Sequence, residues 1–209
     1  MSVPAICPVG DDALAVKVGE HAARHALASV LRSSGTWLDV VPGKCEVTVQ
    51  FDPLELSPAK AQSLLVALMK EYSLSEEIVF PIMTLHMLAD EASAPDLPRI
   101  AAENGLTPGV FLDRIDASLL SVDMMGFTAG FAYLTGVDAR LVSPRLSIPR
   151  QRVPAGSVGM ITGQLGLYAL AGPAGWPIIG RIVEPLFDLS RHDPFTLEAG
   201  MRIKLVIER

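Results

Sequence analysis

Apolar and polar positions alternate between two periods over the first 85 residues. Ala13 to Val18 reads ALAVKV, with β-branched residues between Gly10 and Gly19, the pattern of a strand. From Glu20 to Ser34 the period lengthens. Ala22, Ala26, Leu27, Val30 and Leu31 fall on one side of a helix, and Gly35 sits where a helix commonly stops. Trp37 to Val41 predicts a second strand, Pro42-Gly43 a turn, and Glu46 to Phe51 a third, alternating strand. Ser57 followed by Pro58 opens a helix with Leu64, Leu65, Leu68 and Met69 on one side. Ile78 to Leu85 reads as a fourth strand. The resulting order, β-α-β-β-α-β, predicts a ferredoxin-like domain over residues 1–85, with two helices on one face of a four-stranded sheet.

The pattern then changes. Asp96 to Gly105 predicts a short helix ended by Asn-Gly, and Thr107-Pro108 starts another, a packing hairpin of helices. From Leu119 onward short apolar runs, such as 158–161, 165–170 and 203–207, are broken by Gly or Pro. Ten of the 17 glycines lie between Gly126 and Gly180, the punctuation of a compact β-barrel with tight corners. The fold class is therefore α+β, with residues 86–209 forming a helical hairpin plus a β-barrel domain.

Charge and composition narrow the function. Seventeen Lys and Arg against 23 Asp and Glu leave a net charge of −6, which argues against a nucleic-acid partner. Half of the residues are hydrophobic and 19% charged. The longest uncharged run, the 28 residues between Arg152 and Arg181, contains seven Gly and three Pro. A single helix so broken would leave backbone groups unpaired in lipid, so no membrane span is expected. The start MSVPAICPVGDD lacks the basic and apolar regions of a secretory signal, and Cys7 and Cys45 are too few for a disulfide framework. The expected location is cytoplasmic, with two reduced thiols. His21 and His25, at i and i+4, lack a third ligand and read as an exposed helix face; no metal site is expected.

The sharpest local signal is an absence of acids. From Ala139 to Val183 there is no Asp or Glu, while the stretch holds Arg140, Arg145, Arg150, Arg152 and Arg181. Arginine forks suit carboxylate or phosphate. Two Pro-Arg steps, at 144–145 and 149–150, followed by Val153-Pro154-Ala155-Gly156-Ser157, predict a rigid extended rail. Two readings stand side by side: an anion site, or loop arginines bonded to carbonyls and acids elsewhere in the chain. Ser157 lacks the spacing of a hydrolase nucleophile, and no Gly-Lys-Ser/Thr loop for ATP is present. Tyr168 and Trp176 are candidates to line a pocket or to pack the barrel.

The block from Gly126 to Arg181, 56 of 209 residues, carries a resemblance. Gly126, Phe127, Gly130, Phe131, Tyr133 and Leu134 match one stretch of a family pattern. Pro144, Arg145, Pro149, Arg150 and Val153 to Ser157 match a second. Gly163, Gln164, Gly166 and Tyr168 match a third, and Pro173, Gly175, Trp176, Ile179, Gly180 and Arg181 a fourth. The pattern resembles that of the KipI family, also called PxpB or allophanate hydrolase subunit 1, the B component of bacterial 5-oxoprolinase. Departures stand at Ala129 and Ala169, where the family pattern has Pro, at Leu165 and Ile182, where it has Thr, at Ala174, where it has Gly, at Met201, where it has Asp, and at Ile115, where spacing places a family histidine.

The resemblance implies a cyclophilin-like barrel and half of a two-part unit. Its implied companion is a KipA/PxpC-like subunit (allophanate hydrolase subunit 2), with a PxpA-like third. The implied activity is ATP-dependent opening of 5-oxoproline to glutamate, or a related amide hydrolase or urea carboxylase-type carboxyltransferase reaction. A regulatory binding module, such as a histidine-kinase inhibitor, is the alternative. No cofactor is expected in this chain; ATP or biotin would be handled by partners. A small anionic amide or lactam would meet Arg145, Arg150, Arg152, Gln164, Tyr168, Trp176 and Arg181, with Phe127, Phe131, Tyr133 and Ser157 lining a pocket or interface. The apolar, glycine-rich region 126–180 is expected to exceed what one small barrel covers and to contribute to an obligate interface.

Overall fold

A computed structural model describes residues 5–72 and 80–209. The chain divides into two compact units, Met1–Val79 and Phe80–Arg209.

The first unit contains β1 (Ile6–Val9), β2 (Ala13–Lys17), α1 (His21–Ser33), β3 (Asp39–Pro42), β4 (Glu46–Gln50) and α2 (Pro58–Tyr72). Its sheet has the order β1-β2-β4-β3, antiparallel throughout. The expected first three strands and two helices are present, but the fourth strand differs. It is β1, joined to β2 by a hairpin whose Gly10 adopts φ +63°. The described part of the expected strand 78–85 belongs elsewhere, and Ile78 and Val79 lie outside the described residues. The element order of this unit is thus ββαββα. Leu14, Val16, Val47 and Val49 point from the sheet into a core with Leu27, Leu31 and Leu65 of the helices. Glu20 caps α1 by accepting from the amides of Ala22 and Ala23, which holds its carboxyl below the usual range. His25 is buried, and its ring meets that of His21 edge-on at 4.5 Å. The exposed helix face expected for this pair is therefore not what forms.

The second unit contains β5 (Ile82–Leu88), α3 (Leu97–Glu103), α4 (Pro108–Asp116), β6 (Leu120–Met125), β7 (Ala132–Thr135), β8 (Arg150–Val153), β9 (Ser157–Ile161), β10 (Gln164–Leu167), β11 (Gly172–Ala174), β12 (Ile178–Ile182) and β13 (Arg202–Glu208). Seven strands close a barrel in the order β10-β7-β6-β13-β5-β12-β9, and β8 pairs with β11 in a separate ribbon. β5 runs parallel to β13 over its whole length, Ile82 to Leu88 against Arg202 to Glu208. That pairing takes β5 out of the first sheet and moves the division from residue 85 to the 79/80 junction.

Alternation on the barrel strands fills the interior. Leu85, Met87, Leu120, Val122, Leu134, Val158, Met160, Leu165, Leu167, Ile203 and Leu205 share one core with Ile100, Phe111 and Ile115 of the helical hairpin. This core absorbs most of the apolar residues of 126–180. Among the described residues of that stretch, the large apolar side chains left exposed are Phe127, Val142, Ile148 and Leu170. No helix among the described residues is long and apolar enough to cross a membrane.

Close approach explains one glycine in particular. A Cβ on Gly166 would stand 2.5 Å from Phe131 Cζ and 3.0 Å from Trp176 Cζ3, whereas one on Gly172 would meet nothing within 4 Å. Gly166→Ala is expected to cost about 1–3 kcal/mol through overpacking. Gly172→Ala is expected to stay within about 0.5 kcal/mol of the parent. Urea denaturation of the two variants checks this; equal midpoints would contradict the packing.

Candidate functional site

The rail expected from its prolines is extended. Pro149 precedes β8, Pro154 follows it, and Arg150, Gln151, Arg152 and Val153 lie between. Alternation along β8 sends Val153 into the apolar interior, with Phe131, Tyr168, Ala174 and Ile178. Beside this strand lies a cleft of about 280 Å³, lined by Ala92, Ser93, Pro95, Arg150, Arg152, Val153, Pro154, Ser157, Ile178 and Arg181. Three arginines from two strands therefore reach one cavity, and no carboxylate or imidazole lies in its lining.

The arginines are not equivalent. Arg150 makes a two-pronged ion pair with Asp96, Nη1 to Oδ2 at 2.7 Å and Nη2 to Oδ1 at 2.9 Å. Asp96 Oδ2 also accepts from the Ile178 amide at 2.7 Å, while the Asp96 amide donates to the Ile178 carbonyl at 3.1 Å. Burial pushes the Asp96 carboxyl up, but the Arg150 and Ile178 hydrogen bonds outweigh it and hold the group below the usual carboxylate range. Among the described residues, no carboxylate lies within ion-pair distance of Arg152 or Arg181. Both residues are exposed at the cleft. Arg140, outside the cleft, is paired with Asp138, whose carboxyl its hydrogen bonds lower to about 2.

Of the residues singled out from the sequence, Arg150, Arg152, Arg181 and Ser157 come together here. Ser157 is buried, and its hydroxyl donates to the Pro154 carbonyl at 2.8 Å. That bond fixes a turn and leaves the hydroxyl without an activating base.

The aromatic residues gather in a different place. Phe131 lies at the centre, with ring centroids of Tyr133 at 4.7 Å, Tyr168 at 4.8 Å, Phe127 at 5.4 Å and Trp176 at 6.1 Å, all edge-on. Edge-to-face contacts of this kind add to the burial of the rings. Tyr168 and Trp176 are buried and are absent from the cleft lining. Burial, with Tyr133 nearby, pushes the Tyr168 hydroxyl up to about 12. Arg145 lies over Trp176, Cζ 5.8 Å from the ring centroid, a cation–π contact that takes it away from the other arginines. Gln164 starts β10, half-buried, in neither group. Phe127 is 62% exposed with φ +70°, a backbone region that costs energy for a residue bearing a Cβ.

Asp96 is the site residue that the sequence pattern does not reveal. It occupies the N-cap position of α3, yet its side chain makes no cap hydrogen bond. Arg150→Ala leaves a buried carboxylate with one of its partners. The expected cost is about 2–4 kcal/mol. Asp96 contributes stability that is full above its unfolded pKa, about 3.9, and is lost as pH falls through the lower folded value. Asp96→Asn should therefore be less stable at neutral pH and should lose part of the acid dependence below about pH 4. Chemical denaturation at several pH values checks both; an unchanged acid profile would contradict the assignment.

Comparisons with known proteins bear on the whole chain. A family model for the carboxyltransferase domain, subdomains C and D, matches residues 4–197. The B component of the 5-oxoprolinase of Bacillus subtilis (strain 168) is 28% identical over 220 residues, covering 95% of this chain and 90% of that protein. The corresponding 5-oxoprolinase component of Haemophilus influenzae is 39% identical over 113 residues, covering 54% of this chain and 53% of its own. Among solved structures, TTHA0988 matches with a TM-score of 0.80 at 29% identity, over 94% of this chain. The chain spans only 40% of the length of that protein. PH0987 from Pyrococcus horikoshii is 32% identical with a TM-score of 0.59, covering 98% of this chain and 97% of its own. Urea carboxylase of Kluyveromyces lactis shares the fold, with a TM-score of 0.68 at 16% identity, over 98% of this chain and 22% of its own. A match over residues 4–197 takes in both units, and the chain belongs to the carboxyltransferase C/D-domain family, that of KipI and the B component of 5-oxoprolinase.

Proposed function

We propose that the chain is a subunit of a multi-subunit enzyme that opens 5-oxo-L-proline to L-glutamate at the expense of ATP. The observation that carries this reading is the 28% identity to a 5-oxoprolinase subunit that extends over 95% of this chain and 90% of that protein. The companion is a KipA/PxpC-like subunit, with a PxpA-like protein completing the complex. This reading assigns ATP to a partner subunit, and the lack of a Gly-Lys-Ser/Thr loop in this sequence supports it.

In the reaction ATP gives its terminal phosphoryl group to the lactam oxygen and leaves as ADP, and water adds to the activated carbon. The ring C–N bond breaks with the nitrogen leaving as an amine after taking a proton, and the phosphoryl group leaves as phosphate. The residues of this chain supply binding and orientation. Arg152 and Arg181 pair with the anionic part of the substrate, and Arg150, held by Asp96, keeps the cleft wall in place. The cleft lining contains no acid or histidine to move the proton, so the proton-transfer groups belong to the companion subunit.

Reconstitution with the companion subunits tests the reading. The complex is expected to hydrolyse ATP in response to 5-oxoproline, and Arg152→Ala is expected to raise KM about tenfold or more while the complex still assembles. Response to urea in place of 5-oxoproline would assign the chain to a carboxyltransferase reaction instead. Assembly with no turnover of 5-oxoproline, urea or allophanate would favour a regulatory binding module.

A further inference from the structure

We infer that the arginine cleft is built for a small dianion, with Arg152 and Arg181 supplying the charge and Arg150 the frame. The inference deepens the proposed function, on which it rests for the natural ligand but not for the chemistry of the site.

The charge count around the cavity leads to it. Three guanidinium groups reach the cleft, and the lining contains no carboxylate. The Arg150 charge is cancelled by Asp96, which sits behind the wall and takes both prongs of the fork. Arg152 and Arg181 remain, with no carboxylate within ion-pair distance among the described residues. Asp90, which accepts from the Ser93 amide at 2.7 Å and whose carboxyl the Arg181 charge helps to hold low, lies outside the lining. A monoanion in the cleft leaves one guanidinium uncompensated, whereas a dianion matches both. Guanidinium forks form paired, charge-assisted hydrogen bonds with carboxylate and phosphoryl oxygens alike.

Size and rigidity narrow the class. A volume of about 280 Å³ lies at or below the lower end of pockets for drug-sized ligands, about 300–1,000 Å³. The site therefore suits a body of amino-acid size, not a nucleotide. Arg152 projects from a strand bracketed by Pro149 and Pro154, and Arg181 from a barrel strand where it pairs with Leu88 and Ser157. Both backbones are fixed before a ligand arrives, which limits the ordering cost of binding.

The same count bears on the proposed reaction. 5-Oxoproline carries one negative charge. Its phosphorylated form carries a carboxylate and a phosphoryl group, whereas the opened product carries two carboxylates and an ammonium group. A cleft with two such guanidinium groups gains interaction as the ring is activated. Such a gain, absent in the ground state, is the kind that raises rate rather than affinity for the substrate.

Calorimetric titration of the full chain at constant ionic strength tests the inference. At about pH 8, where inorganic phosphate is mainly a dianion, the probes are glutarate and inorganic phosphate as dianions, and acetate and 5-oxoproline as monoanions. At least one dianion is expected to bind about tenfold or more tightly than either monoanion, with the advantage shrinking as salt is added. Preference for glutarate identifies two separated carboxylates as the ligand chemistry; preference for phosphate identifies a phosphoryl group. The doubly substituted Arg152→Gln, Arg181→Gln chain, shown folded by circular dichroism, is expected to lose the preference. Equal affinity for mono- and dianions, or a preference that survives both substitutions, overturns the inference. A complex that fails to turn over 5-oxoproline while the chain still prefers dianions refutes the proposed function alone. An active complex without the preference refutes this inference alone.

Discussion

Asp96 is buried, and a carboxylate at that depth is costly unless its oxygens are bonded. Here one oxygen takes an Arg150 prong and the Ile178 amide, and the other takes the second Arg150 prong. Three distant pieces of chain meet at this group: the residue before α3, the start of β8 and the start of β12. Two of them form walls of the cleft, and the third positions Ser93 and Pro95 in its lining. The pair fixes geometry as well as charge, because a planar fork against a planar carboxylate has one good orientation. Removing Arg150 would leave the buried Asp96 carboxylate short of partners, so the cost falls on the cleft as a whole.

The helices and most strands are legible in the sequence because their periods are local. Gly35 ends α1 with φ +64°, and the Thr107 side chain caps α4 by accepting from the Val110 amide, both readable directly from residue type. β1 is not legible. It is four residues long with a proline within it, and its mostly exposed positions give no apolar alternation. β5 reads as a strand, but local order assigns it to the wrong sheet. Its partner β13 lies more than a hundred residues away, and a parallel pairing of that separation leaves no trace in the spacing of either strand.

The site shows the same division. The acid-free stretch is visible as a local excess of arginine, and the fold brings three of those arginines to one cleft. What separates them is not visible, because Asp96 lies outside the stretch, 54 residues before Arg150. The two readings open at the level of sequence, an anion site and structural arginines, therefore describe different members of the same set. Arg150 and Arg140 are held by acids, and Arg145 lies over an indole. Arg152 and Arg181 line the cleft, exposed, with no carboxylate at ion-pair distance among the described residues. Tyr168 and Trp176 match the family pattern for a packing reason: they wall the aromatic cluster against which Gly159 and Gly166 close.

Of the seven departures from the family pattern, six lie in or against the interior, and the seventh, Ala129, is exposed. Ile115, Leu165 and Ile182 all lie in the barrel core, Ala169 with them, and Met201 packs against it. Ala174 lies in the aromatic cluster. None of these residues lines the arginine cleft. Where the pattern has a polar group at such a position, this chain has an apolar one, which removes a buried polar atom that would need a partner. Changes of that kind alter how the interior packs and leave the charge of the cleft untouched. These positions lie in the layer that holds the barrel together, whereas Arg152 and Arg181 lie on strands beside a carboxylate-braced wall. A binding role built on those two cations would not depend on these positions. A role that needed a hydroxyl or imidazole at positions 115, 165 or 182 would find none there, because those side chains are hydrocarbon and are enclosed by the core.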